Sequence, residues 1–120
     1  MARKKKTAEE RADEARRYAL AAAAVSDRDF EPFYTDPNQA IRAAASANPN
    51  ASATVLGHFA FDRFWGVKVE VARHPNSSRA TVLGLLEPRD RGVVHSAARE
   101  RLESEGVSFG EDHMPLDTQA

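Results

Sequence analysis

The chain has 120 residues, 42% of them hydrophobic and 29% charged, which suits one ordinary globular domain. Its formal net charge of −1 argues against a general nucleic-acid coat, which would need a large positive excess. No cysteine is present, so disulfides, thiolate zinc sites, cysteine-ligated iron–sulfur clusters and cysteine nucleophiles are excluded.

In chain order, residues 1–6 form a basic tail, expected to be disordered. Arg3, Lys4, Lys5 and Lys6 resemble the start of a signal peptide, but Glu9, Glu10, Asp13 and Glu14 stand where the apolar stretch would be. With no apolar run long enough to cross a bilayer, the expectation is a bacterial-type cytoplasmic protein. Thr7-Ala8-Glu9-Glu10 is a capping-box pattern. It opens an alanine-rich helix to about Val25, followed by a shorter segment from Ser26 that carries Phe30, Phe33 and Tyr34. Residues 7–35 are therefore predicted as N-terminal capping helices.

A repeat begins at residue 36. Ile41 to Asn50 can be laid over Val67 to Asn76 at an offset of 26, pairing Asn48-Pro49-Asn50 with His74-Pro75-Asn76. Ala53-Thr54-Val55-Leu56-Gly57 then matches Ala80-Thr81-Val82-Leu83-Gly84 at an offset of 27. A third copy starts at Val93. Asp36-Pro37 is expected to be an N-cap followed by proline at the first helical position. The residue before Pro49 or Pro75 is pushed out of the α region and ends each long helix. A short second helix is expected from Ser52 and from Ser77-Ser78.

The repeat settles one local conflict. Val67-Lys68-Val69-Glu70-Val71 alternates with period two and alone suggests a strand. Its counterpart Ile41-Arg42-Ala43-Ala44-Ala45 is alanine-rich and favours helix. Equivalent units share a structure, so both are predicted helical, with Ile41/Ala45, Val67/Val71 and Val93/Ala97 on the inner face. The third copy has Glu100-Arg101 in place of the proline stop, so its helix can run on to a C-cap at Gly106. Residues 36–106 are assigned to the repeat and 107–120 to an acidic, flexible tail.

These residues resemble the leucine-rich repeat variant family. Asp36-Pro37, Ile41-Arg42, Asn48-Pro49-Asn50 and Val55-Leu56 follow its unit, as do Asp62, Trp65, Val67-Lys68, His74-Pro75-Asn76 and Val82-Leu83. The resemblance implies an all-α fold: a short right-handed α-solenoid of variant leucine-rich or HEAT-like repeats behind an N-terminal helical cap. It implies no common enzymatic activity. The cysteine-rich iron–sulfur segment of some members has no counterpart here.

Chemistry-bearing motifs are sparse. Gly106-Val107-Ser108-Phe109-Gly110 fits Gly-x-Ser-x-Gly, with Asp112 and His113 nearby. That motif works on a strained strand-to-helix turn, whereas this segment follows a charged helix. His58, His74, His95 and His113 show no metal-ligand spacing. His74 is expected to bond turn backbone, and His58 and His95 to be partly exposed. No catalytic residue, cofactor or metal is predicted.

Phe59 and Trp65 fall at positions that pack between units; Phe61 and Phe64 fit the inner positions less well and are candidate exposed anchors. Arg42 and Lys68 share one repeat position and Arg73 and Arg99 another, so basic residues stack on one face. The pairing of that ladder with Asp36, Asp62 and Glu70 is the structural alternative. The leading expectation is a non-catalytic scaffold for protein–protein interaction through Arg42, Lys68, Arg73, Phe61, Phe64 and Trp65. The alternative is a nucleic-acid-binding HEAT-like module using Arg3, Lys4, Lys5, Lys6, Arg11, Arg16 and Arg17 as an arm, with the ladder as second contact.

Overall fold

The computed structural model describes residues 5–89 and 92–116. Residues 1–4, 90–91 and 117–120 lie outside it, so Arg3 and Lys4 of the basic tail and the last four residues of the acidic tail are not placed. The described chain is all-helical. Four longer helices, α1 (Ala8–Ala23), α3 (Gln39–Ala47), α5 (Trp65–Arg73) and α7 (Val93–Ser104), alternate with three short ones, α2 (Asp27–Phe30), α4 (Ala53–Phe59) and α6 (Arg79–Leu83). A single turn of 3₁₀ helix, Glu31–Phe33, follows α2. The long helices form a row in which α3 packs between α1 and α5, and α5 between α3 and α7. The molecule is a slab of 53 × 39 × 18 Å.

Local chemistry sets the helix starts. At α1 the capping box forms in full: the Thr7 hydroxyl accepts from Glu10 N at 3.0 Å, and the Glu10 carboxylate accepts from Thr7 N at 3.0 Å. Ser52 and Ser78 cap α4 and α6 by accepting from Val55 N and Thr81 N. Asp36 does not cap α3 as expected. Asn38 is the N-cap and accepts from Ala40 N, while Asp36 closes a tighter turn by accepting from Asn38 N at 2.9 Å. Asp62 makes the same turn onto Phe64 N before α5. An aspartate two residues ahead of the cap satisfies the cap's own N–H, which a helix-start pattern does not distinguish from capping.

Val67 to Val71 lie within α5, as the repeat requires. Val67 and Val71 are fully buried and Val69 nearly so. With neighbours on both flanks, a helix buries residues that point to opposite sides, and residues two apart on a helix do so. Double-sided burial thus mimics the alternation of a strand. Each such valine contributes about 1.5–3 kcal/mol relative to exposure.

The Asn-Pro-Asn turns join one unit to the one before it. Asn48 Nδ2 donates to the carbonyls of Ala21 (3.0 Å) and Ala24 (2.8 Å) at the end of α1, while its Oδ1 accepts from Asn50 N. His74 repeats the arrangement in imidazole form: Nδ1 accepts from Asn76 N, so Nε2 carries the proton and donates to Asn48 O at 2.8 Å. Asn50 and Asn76 add side-chain bonds to Ala24 O and Ala51 O. Arg101 takes this place in the third unit, donating to His74 O and Ser77 O. Each clasp satisfies carbonyls that a helix end or turn leaves open.

The last helix closes with Gly106 at φ 91°, its N–H on Glu103 O and that of Val107 on Leu102 O. This is the paired-bond stop that favours glycine. Residues 107–116, expected as part of a flexible tail, fold back. Phe109 pairs with Pro115 in an isolated bridge, and Val107, Phe109 and Met114 pack against the core. The Arg99 guanidinium sits 4.7 Å from the Phe109 ring centroid.

Candidate functional site

The loop from α4 to α5 and the first residue of α5 bring two exposed aromatic rings together, Phe61 and Trp65. Asp62 anchors the loop: its carboxylate accepts from Phe64 N and pairs with Arg42, at 2.7 Å to Nε and 3.3 Å to Nη2. Arg42 Nη1 reaches Asp36 O at 2.7 Å. Both side chains of this pair are buried, at 7% and 6% exposure. The loop is thereby tied to the start of α3, and Phe61, 90% exposed, projects from it.

Two depressions flank Phe61 and Arg63. The larger, about 760 Å³, lies between the α4–α5 loop, α6 and the start of α7; its walls include Phe61, Arg63, Trp65, Lys68, Leu85 and His95. The smaller, about 410 Å³, is lined by Tyr34, Asp36, Pro37, Arg42, Asp62 and the same Phe61 and Arg63. Trp65, expected in the core, is 58% exposed. Phe64 is instead partly buried against the core, and its ring lies where a β-carbon on Gly66 would be. The absent side chain at Gly66 lets Phe64 fold inward and leaves the outer position to Trp65, whose ring lies 5.5 Å from that of Phe64.

The remaining candidates separate. Arg42 is consumed by Asp62 and Asp36, the structural alternative foreseen for it. Lys68, its repeat partner, is half-buried in the wall of the larger groove. Arg73 is exposed but lines neither depression. In the basic arm, Lys5 is exposed, Lys6 pairs with Glu14, and Arg11 donates to Lys6 O. Arg16 pairs with Asp13, and Arg17 with Asp13 and Asp36. Hydrogen bonds from Lys6 and Asn38 hold the Glu14 carboxyl below its ordinary pKa.

Sequence reasoning missed His95. It is 3% exposed; Nδ1 accepts from Glu87 N, and Nε2 is buried without a partner. Its repeat counterpart Val69 is also buried, which is the signal that could have found it. His58 is exposed and stacks on Tyr34 at 4.6 Å. Among the described residues no group of three or more His, Asp or Glu could hold a metal ion. Ser108 is exposed on the folded-back segment after α7, and His113 Nδ1 lies 3.1 Å from Arg99 Nη1. No described helix is long and apolar enough to cross a membrane. Compared with known proteins, the chain matches no family model, no curated protein and no solved structure.

Proposed function

We propose that this chain is a non-catalytic repeat module that holds a protein partner on the surface around Phe61 and Trp65. In this reading the units are variant leucine-rich, HEAT-like repeats forming a short right-handed solenoid. The row of long helices and the backward-reaching Asn-Pro-Asn and His-Pro-Asn clasps support it. The observation that carries the reading is the larger groove, with two exposed aromatic rings and two basic side chains in its walls. Exposed aromatics cost free energy in an isolated domain and are the residue types that dominate interface energies. The basic arm supports a nucleic-acid reading poorly, because Lys6, Arg16 and Arg17 are already paired with carboxylates of the same chain.

Site-specific photo-crosslinking tests it. A photoreactive residue at position 61 or 65 should give a discrete protein adduct in cells, and the same residue at position 73 should not. Equal labelling at all three positions, or none at 61 and 65, refutes the reading.

A further inference from the structure

Cation–carboxylate pairs recur along one edge of the helix row. Arg17 on α1 pairs with Asp36 at 2.9 Å, and Arg42 on α3 pairs with Asp62 at 2.7 Å. The next rung belongs to Lys68 on α5, which stands at the Arg42 position of its unit. Among the described residues the Lys68 ammonium has neither a hydrogen bond nor an ion pair, although the residue is half-buried. It faces the larger groove, as does Arg63, which is likewise unpaired. Glu87 is the one carboxylate in the described groove wall, and it forms no ion pair with either cation. Two exposed rings, Phe61 and Trp65, border the same space.

We infer that the partner supplies the missing carboxylate: the groove takes an acidic peptide segment, an Asp or Glu of which pairs with Lys68 and Arg63 while an adjacent apolar side chain packs on Phe61 and Trp65. This inference rests on the protein-binding reading above and names the chemistry of the bound segment. Charge complementarity sets the sign of that segment. A half-buried lysine without a counter-ion is partly stripped of water, so an incoming carboxylate gains more there than at an open surface. The rings supply apolar contact area beside the charge. A nucleic-acid phosphate would satisfy the cations equally. The rings, however, sit at the α4–α5 loop and the start of α5 beside two basic residues, without the longer run of cations that tracks a phosphate backbone.

The test is selection of a random peptide display library on the intact protein, followed by titration of the enriched peptides. Trp65 is the only tryptophan in the chain, so its emission reports occupancy directly. Enriched peptides should carry Asp or Glu next to Phe, Leu or Trp, and should shift Trp65 emission saturably. Replacing their acids with Asn or Gln should weaken binding about tenfold or more. Lys68→Gln and the separate variant Arg63→Gln should each weaken it several-fold while leaving the helical circular dichroism intact. Enrichment without acidic bias, no enrichment, or equal binding to Lys68→Gln overturns the inference. Random single-stranded or duplex DNA that shifts Trp65 emission when no acidic peptide does so also overturns it, in favour of phosphate. A cross-linked partner at position 61 together with neutral or basic selected peptides would sink this inference alone and leave the broader reading standing.

Discussion

Replacing Arg42 with methionine gives the sharpest test of how the α4–α5 loop is held. The substitution keeps the length of the side-chain stem and removes only the guanidinium. Three bonds disappear: two to the Asp62 carboxylate and one to Asp36 O. Asp62, 6% exposed in its side chain, then retains only the Phe64 N–H as a described partner. Stranding one member of a buried ion pair costs about 3–5 kcal/mol, whereas an exposed pair would cost under about 1 kcal/mol. Against a total stability of about 5–15 kcal/mol, that is a large share. For a chain of this size the melting temperature should fall by roughly 10–20 °C. Urea denaturation followed by circular dichroism measures the loss directly. The double variant Arg42→Met/Asp62→Asn should cost at least about 2 kcal/mol less than the sum of the singles, because the stranded charge is gone. A single-variant cost below about 1 kcal/mol, or strict additivity, would refute the buried-pair account.

Three further outcomes follow from the same structure. Asn48→Ala strips donors from the Ala21 and Ala24 carbonyls and should destabilise by about 2–4 kcal/mol in urea melts, against a smaller loss from Asn48→His, the residue found at position 74, whose ring can serve one of the two carbonyls. Phe61→Ser, at a 90% exposed position, should leave stability within about 0.5 kcal/mol of wild type, so that any loss of partner binding reports the surface and not the fold. Hydrogen bonding holds three carboxyls below their ordinary values: Glu14 through Lys6 and Asn38, Asp29 through the Ser26 and Val25 N–H groups, and Glu105 through Arg101. A carboxyl lowered in the folded state contributes fully above its ordinary value, here 4.5 for the glutamates and 3.8 for Asp29, and loses that contribution as pH drops through the folded value. The melting-temperature difference between wild type and a Glu14→Gln/Glu105→Gln variant should therefore be level from neutrality to about pH 5 and shrink below it; a difference that already shrinks near pH 7 would contradict this.

The helices were legible because two units state the same thing in different residues. Val67 to Val71 is ambiguous by itself, and Ile41 to Ala45 removes the ambiguity. The turns were legible because Pro49 and Pro75 restrict the backbone locally. What escaped depends on contacts between units. Asp36 looks like a cap until Asn38 is seen to do that work. Trp65 matches a packing position, but Gly66 lets Phe64 take the inner place instead. Arg101 bears no resemblance to asparagine, yet its length lets it reach carbonyls of the preceding turn, His74 O and Ser77 O, as Asn48 and His74 reach those before them. The folding back of residues 107–116 rests on three spaced apolar anchors, Val107, Phe109 and Met114, too few to give a periodic signal. Of the proposed contact residues, Phe61, Trp65 and Lys68 meet at one groove, while Arg42 is occupied and Arg73 stands apart.

The clasps all point the same way: Asn48 grips the end of α1, His74 grips Asn48, and Arg101 grips His74. During synthesis, which proceeds from the amino end, every acceptor therefore emerges from the ribosome before the donor that needs it. Each newly made segment meets a finished receptor and can lock onto it at once. Trimming from the carboxyl end strands only carbonyls, which water can serve, whereas trimming from the amino end strands Asn48 or His74, so the two ends of the molecule are not equally dispensable.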